Sequence, residues 1–335
     1  SGSSPSTSGG GDGTGSVAAN PESDDSEYLE PVKIGSNAQE LTLDFDTGSS
    51  DLWVQGPDTA SNGQTGFNSQ QSSSWQPYDG GSWKISYGDG SQASGNVGFD
   101  KVDIGGVVAE KQAVEVATSV SAQFQKDSNN DGLVGLAFSS LNTVQPQSQK
   151  TFFDNVMGQL KSPLFVADLR HNTAGAYTFG EVPSGAGDVH YVDIDDSNGW
   201  WEFESKTYSV NGQQQQCSSC HSAIADTGTS LMLVDNEVAS AFYAQVSGAQ
   251  NDASQGGYTY DCSTQLPDFA VQIGDFSATI KGSELTYSEI GGGKCFGGIQ
   301  PNQGQNVQIY GDVFLKPFYA VFDGGNKKFG VAPKN

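Results

Sequence analysis

The sequence predicts a β-rich protein carrying an internal duplication, and three observations lead there. Of 335 residues, 44 are glycine and 10% are aromatic, and short Val/Ile/Tyr/Phe runs recur between Gly-rich breaks. That pattern suits strands and turns rather than helical bundles. The length leaves two layouts open, a pair of lobes or one large all-β unit. The tripeptide Asp-Thr-Gly occurs twice, at Asp46-Thr47-Gly48 and Asp226-Thr227-Gly228. Each copy follows a short apolar alternation and precedes a hydroxyl residue and a second apolar run.

Taken in order, residues 1–20 are rich in Ser, Gly and Thr, hold too little apolar content to pack, and are expected to be mobile. Strand-like runs follow at 41–45, 52–54, 83–87, 97–104, 113–116 and 133–138, separated by Gly-rich breaks. Residues 149–160 place Phe152, Phe153, Val156 and Leu160 at helical spacing and read as a short amphipathic helix. The Gly/Pro/Ser-rich stretch at 183–188 falls between the two Asp-Thr-Gly copies and marks a lobe boundary. The expected division is therefore a mobile segment 1–20, an N-terminal lobe 21–188 and a C-terminal lobe 189–335. Beyond it, strands are expected at 189–194, 203–210, 269–273, 277–280 and 307–314. Asp235 can cap a helix over 236–246 with Val238, Phe242 and Val246 on one face. Segments 319–322 and 328–331 read as a closing hairpin around Gly324-Gly325.

Thirty-nine acidic against 15 basic residues give a formal net charge of −24. A chain this acidic repels phosphate backbones and anionic membranes, which argues against both as partners. It also suits acid surroundings, where protonation of carboxylates relieves self-repulsion. No apolar run approaches the roughly 18 residues of a membrane-spanning helix, so the chain reads as soluble. The four cysteines allow three pairings, and an even, small count fits an oxidising compartment. The start at Ser1, without a charged-then-apolar leader, reads as a mature, processed product.

The duplicated tripeptide carries the chemistry. Two carboxyl groups brought face to face cannot both ionise easily, so they tend to share one proton. Such a pair can serve as base and acid in one site, which points to hydrolysis by activated water. The glycine after each Asp-Thr permits a tight turn. Thr47 and Thr227 could hydrogen-bond across a lobe junction. Ser49 and Thr229 sit where a hydroxyl could donate to the outer oxygen of each carboxylate.

Two further patterns compete. Cys217-Ser-Ser-Cys220-His221 matches a haem-attachment motif and half of a zinc site. Met157 and Met232 are the only thioether candidates, however, His171 and His190 the only other histidines, and no second close Cys pair exists. Asp127-Ser-Asn-Asn-Asp-Gly132 resembles the opening of a calcium loop, but its twelfth position is Phe138 rather than Glu. Neither a metal nor a cofactor is expected.

From about residue 27 onward the chain resembles the pepsin-like aspartic endopeptidases. The matching segments are Phe45-Asp-Thr-Gly-Ser-Ser-Asp-Leu-Trp-Val54, Ile85-Ser-Tyr-Gly-Asp-Gly-Ser91, Asp131-Gly-Leu-Val-Gly-Leu-Ala-Phe138, Ile224-Ala-Asp-Thr-Gly-Thr-Ser230 and Tyr310-Gly-Asp-Val-Phe314. The wording at 149–155 and 295–300 is most similar to secreted enzymes of filamentous fungi. The resemblance implies an all-β, two-lobed fold with pseudo-twofold symmetry, a central cleft, a hairpin flap and few short helices. It implies Asp46 and Asp226 as the catalytic pair, with Gly48, Gly228 and Thr229 beside the substrate. Tyr87, Gly88 and Asp89 would lie on the flap, Tyr87 bonding to Trp53. Phe124, Leu133 and Ile309 match positions lining apolar substrate pockets, though each could equally be plain core. A flap carboxylate at Asp89 could pair with a substrate Lys at P1.

Further implications are a Cys262–Cys295 disulfide and a short Cys217–Cys220 loop. The resemblance also implies a zymogen precursor, secretion to the extracellular space, polypeptide substrates and inhibition by statine-type compounds such as pepstatin. A monomer would suffice, since one chain supplies both halves of the site. The rival reading is a catalytically silent binding or inhibitor protein on the same fold. Such proteins usually lose an Asp, the flap Tyr or a glycine, all of which are kept here.

Overall fold

The computed structural model describes residues 11–334. The chain is built mostly of strands. Its helices are short, the eight-residue Asn236–Tyr243 being the longest among the described residues. The chain divides into two compact units. The first comprises residues up to Pro21, Tyr28–Val166 and Thr173–Pro183; the second comprises Glu22–Glu27, Ala167–Asn172 and the chain from Ser184 onward.

In the first unit, strand Gly15–Pro21 pairs antiparallel with Gly175–Phe179 and passes into Tyr28–Ile34. Tyr28–Ile34 forms a hairpin with Gln39–Asp46, the strand that ends on the first Asp-Thr-Gly. That strand runs parallel to Gly132–Gly135, which lies antiparallel to Leu52–Val54. Leu52–Val54 in turn runs parallel to the long strand Val107–Val120. Gln92–Ile104 completes a hairpin with that long strand and also carries Trp83–Ser86 along its edge.

In the second unit, Ala223–Ala225 ends on the second Asp-Thr-Gly and runs parallel to Gln308–Tyr310. Gln308–Tyr310 lies antiparallel to Met232–Val234, which runs parallel to Ile299–Pro301. The order parallel, antiparallel, parallel therefore occurs once in each unit around its Asp-Thr-Gly strand. Two four-stranded sheets flank this core, with strand orders 213–216/207–210/269–273/276–280 and 250–252/257–261/294–297/286–291.

Several expectations need correction. The helix expected over 236–246 ends at Tyr243, and Asp235 does not cap it through its side chain, which accepts from the His221 N–H at 2.7 Å instead. The strand expected at 203–210 is broken into Glu202–Phe203 and Thr207–Val210. Residues 1–10 lie outside the described residues, but the rest of the segment expected to be mobile is folded. Gly15, Val17 and Ala19 are buried while Ser16, Ala18 and Asn20 are not, an alternation that small residues hid from a count of apolar content. The strand expected at 307–314 stops at Tyr310. Gly311 caps a short helix, Asp312–Leu315, whose four side chains are all buried. The helix expected over 149–160 is a single turn, Phe152–Val156, capped by the Thr151 hydroxyl on the Asp154 N–H at 3.1 Å and tightening into a 3₁₀ turn.

Both disulfides are present, Cys217–Cys220 and Cys262–Cys295. The second, closing a loop of 33 residues, stabilises the fold by about 3–4 kcal/mol on the chain-entropy model. With Cys217 and Cys220 joined and His221 Nδ1 held 2.9 Å from Asp235, that segment has no free thiol for haem or zinc. The calcium-like loop is likewise committed. The Asp131 carboxylate accepts from the backbone N–H groups of Thr42 at 2.8 Å and Thr65 at 2.6 Å, and Asn130 caps Gly132.

Candidate active site

Each Asp-Thr-Gly loop builds the same carboxylate cage from local chain geometry. In the first unit, the Gly48 N–H donates to Asp46 Oδ1 at 2.9 Å and the Ser49 hydroxyl donates to Oδ2 at 2.6 Å. In the second, Gly228 N–H donates to Asp226 Oδ1 at 2.9 Å and the Thr229 hydroxyl to Oδ2 at 2.8 Å. Both carboxylates are buried, at 6% and 8% exposure. Thr47 and Thr227 are buried directly beside them.

The loops are held from behind by the parallel partner strand. Leu136 N–H donates to Asp46 O at 2.8 Å, Ala137 N–H to Ser49 O at 2.9 Å and Gly135 N–H to Asp51 O at 2.9 Å. The second unit repeats this with Asp226 N–H to Tyr310 O at 3.1 Å, Asp312 N–H to Thr229 O at 2.8 Å and Gly311 N–H to Leu231 O at 3.1 Å. Gly135 and Gly311 press so closely that only glycine fits. A Cβ on Gly135 would lie 2.5 Å from Asp51 N, and one on Gly311 would lie 2.1 Å from Thr229 O. The sequence motifs contain both glycines but do not by themselves disclose this bracing role. The available signal is their place: each sits at the end of an apolar run that leads into a functional loop.

The first unit adds a hairpin and an aromatic cluster. Trp83–Ser86 and Gln92–Ile104 are joined by a turn in which Gly90 adopts φ +86°, a conformation that favours glycine. Tyr87 N–H donates to Ser91 O at 2.9 Å and Gly90 N–H to Tyr87 O at 3.0 Å, while Gly88 and Asp89 stand exposed at the tip. Asp89 Oδ1 accepts from the Ser91 N–H at 2.8 Å and the Ser91 hydroxyl at 2.5 Å, which leaves Oδ2 available. The half-buried Tyr87 accepts a hydrogen bond from Trp53 Nε1 at 2.8 Å through its hydroxyl. Burial, and after it the negative charge of Asp46, pushes the Tyr87 phenol well above its ordinary range, so it keeps its proton.

Trp53, fully buried, stacks on Trp83 at 5.8 Å and meets the Phe124 ring edge-on at 4.9 Å. Tyr87 also packs edge-on against Phe124, at 5.8 Å. Leu133 and Ile85 complete the cluster. Phe124, half-buried, thus joins the hairpin to its base, and Leu133 is buried at 6% exposure. Ile309, half-buried, pairs with Ile224 on the strand beside the second Asp.

A buried polar network behind the first loop went unrecognised in the sequence. Asp51 accepts from the backbone N–H of Thr143 at 3.0 Å and from its hydroxyl. Asn142 Nδ2 donates to Ser50 O at 3.0 Å and reaches Glu115 at 3.4 Å. Glu115 is fully buried, with Oε1 unpartnered. Burial and a hydrogen bond with Asp51 push its carboxyl well above the usual range. The Ser-Ser-Asp run in an otherwise apolar setting was its only trace.

A family model described as "eukaryotic aspartyl protease" matches residues 27–334. Penicillopepsin-1 of Talaromyces stipitatus is 50% identical over 321 residues, covering 95% of this chain and 81% of that protein. Aspergillopepsin-1 of Aspergillus pseudoglaucus is 49% identical over 322 residues, covering 95% and 82%. Penicillopepsin-1 of Penicillium janthinellum is 49% identical over 323 residues, covering 95% and 98%.

Proposed function

The chain belongs to the eukaryotic aspartyl protease family and is an aspartic endopeptidase acting on polypeptides, and on that premise we propose that Asp46 and Asp226 form one catalytic pair around a shared water. The observation that carries the proposal is the pair of matching carboxylate cages, one on each Asp-Thr-Gly loop. One carboxylate removes a proton from the water as its oxygen bonds to the scissile carbonyl carbon, and the other gives its proton to the carbonyl oxygen. The tetrahedral diol then collapses: the C–N bond breaks, a proton passes to the leaving nitrogen, and the pair again holds one proton. Because the pair must be singly protonated, activity belongs to acid pH.

The flap Tyr87 closes over an extended substrate, and Gly88 and Asp89 pair with its backbone as another strand would. Pockets lined by Phe124, Leu133 and Ile309 favour apolar residues around the scissile bond. Asp89, whose Oδ2 is available, accepts a Lys at P1. Gly48, Gly228 and Thr229 lie beside the substrate in this reading, and Thr47, Ser49, Trp53 and Thr227 support the site. Pepstatin-type inhibitors occupy the site, the enzyme is secreted from a zymogen precursor, and a monomer suffices. Two disulfides support an oxidising destination. Among the described residues no helix is long and apolar enough to cross a membrane.

The test is digestion of a denatured protein at pH 3–5 with and without pepstatin. Cleavage that pepstatin stops supports the reading. Cleavage that survives pepstatin, or is fastest above pH 7, refutes it. For Asp89, the Asp89→Ala variant should lower cleavage after Lys relative to cleavage after Phe, and an unchanged ratio would remove that claim.

A further inference from the structure

We propose that the second unit carries a binding groove for a neutral oligosaccharide, formed around Tyr258 between helix Asn236–Tyr243 and strands Gln250–Asp252 and Gly257–Asp261. This goes beyond the proteolytic reading and does not depend on it. The groove encloses about 430 Å³, within the range of small-ligand sites. None of its lining residues is charged, in a chain where 16% of residues are.

Its floor is a rigid aromatic platform. Tyr258 lies flat on Tyr243, with centroids 4.1 Å apart and planes within 7°. Tyr243 is itself buried and anchored through its hydroxyl to Ile299 O. The backbone of Tyr258 is gripped from both sides by one buried amide: Tyr258 N–H donates to Gln300 Oε1 at 2.7 Å, and Gln300 Nε2 donates to Tyr258 O at 3.1 Å. Gly257 permits this approach, since a Cβ there would lie 2.3 Å from Gln300 Oε1. The half-buried ring has one face covered by Tyr243 and contributes its remaining surface to the groove.

The walls carry hydrogen-bonding capacity the protein does not use. Among the described residues, Asn236, Ser240, Asn251 and Gln303 are exposed and their side chains make no hydrogen bond within the protein. The amides just behind them are fully engaged. Gln300 makes three such bonds, and Asn302 Nδ2 reaches Asp235, Gln305 O and Val307 O. Side-chain amides offer a donor and an acceptor together, as sugar hydroxyls do. A pyranose face presents C–H groups to the negative face of an aromatic ring. An anion would find no cation in this lining, and a cation no carboxylate. A peptide would find little more apolar surface than Ala253 and Pro301, and no pocket for alternate side chains.

Isothermal titration of the whole protein at pH 4.5 with cellohexaose, maltohexaose and hexa-N-acetylchitohexaose, and with blocked tetraglycine as the peptide probe, decides the matter. At least one hexasaccharide should bind saturably at one site. Tyr258→Ala should weaken that binding about tenfold or more, and Tyr258→Phe, which keeps the ring, should leave it within about twofold. Asn251→Ala combined with Gln303→Ala, both exposed and able to fold normally, should weaken it about fivefold. Peptide hydrolysis should be unchanged in all of them. Absence of binding by every hexasaccharide, or binding indifferent to the Asn251/Gln303 change, would overturn the proposal. Tetraglycine binding with the same sensitivities would overturn it in favour of a peptide groove.

Discussion

The two Asp-Thr-Gly loops are alike at the carboxylate and in the glycine that braces each, and unlike beyond that. Gly48 and Ser49 hold Asp46 as Gly228 and Thr229 hold Asp226, and Gly135 and Gly311 brace the two loops in the same way. Behind Asp46, however, lie Trp53, the Tyr87 hairpin and the buried Asp51–Glu115–Asn142 network. Behind Asp226, Ser205 and Tyr310 share a hydrogen bond at 2.5 Å and the Ser230 hydroxyl reaches Ser26 O. The carboxylate cage is duplicated, while the Tyr87 hairpin belongs to one copy.

The largest effect should fall on both copies equally. Asp46→Asn and Asp226→Asn should each cut kcat by roughly a thousandfold or more while leaving the fold intact, and the double variant should be little worse than either, because the residues act as a unit. One variant retaining a tenth of wild-type activity would break the symmetry. Replacing a brace should also act on both copies: Gly135→Ala and Gly311→Ala each force backbone to move and should destabilise by about 1–3 kcal/mol, read as a lowered thermal midpoint. Next come the hydroxyl donors. Ser49→Ala and Thr229→Ala each remove a charge-assisted hydrogen bond worth about 1.5–3 kcal/mol. Each variant should therefore lose about tenfold or more in kcat, read by steady-state kinetics at one acid pH.

The latch is where the copies should part. Trp53→Phe removes the donor to Tyr87 and should lower kcat/KM about tenfold at unchanged stability of the second unit, with no equivalent substitution available there.

The smallest effect concerns pH and stability, and here buried carboxyls of the first unit and one of the second act with opposite signs. Glu115 is held above its ordinary range by burial first, and Asp131 is raised by burial as well. A carboxyl raised in the fold contributes stability that is present below its unfolded pKa and lost as pH rises through the folded value. Asp25 in the second unit is also pushed up by burial, but the Asn172 N–H, His171 at 2.5 Å and Lys316 at 3.0 Å outweigh it and hold it low. Its contribution is present above the unfolded pKa and lost as pH falls through the folded one. Thermal midpoints should therefore fall from about pH 4.3 toward neutrality, and Glu115→Gln should flatten that fall. Asp25→Asn should lower the midpoint most where the wild-type carboxylate is ionised. A Glu115→Gln slope identical to wild type would remove this account of the first unit.

What the sequence disclosed follows from range. The carboxylate cages close within three residues, so Asp46, Ser49, Asp226 and Thr229 were readable from the motif. The Trp53–Tyr87 bond joins strand Leu52–Val54 to a hairpin far along the chain and was readable only through resemblance. Glu115 and Asp51 come together because Trp53 and Glu115 sit opposite each other on parallel strands, a register no local pattern records. Strand Gln213–Gln216 has no apolar residue and exists because Thr207–Val210 offers it an edge. The strand expected through 314 ended at Tyr310 because the apolar run Val313-Phe314-Leu315 is equally good as part of a buried helical turn.

The central claim is that Asp46 and Asp226 act as one pair. A crystal structure of the protein with a statine-type inhibitor tests it most directly. The account expects the statine hydroxyl within hydrogen-bond distance of both carboxylates, in the place of the attacking water. A hydroxyl touching one carboxylate alone, with the other out of reach of any common oxygen, would contradict it.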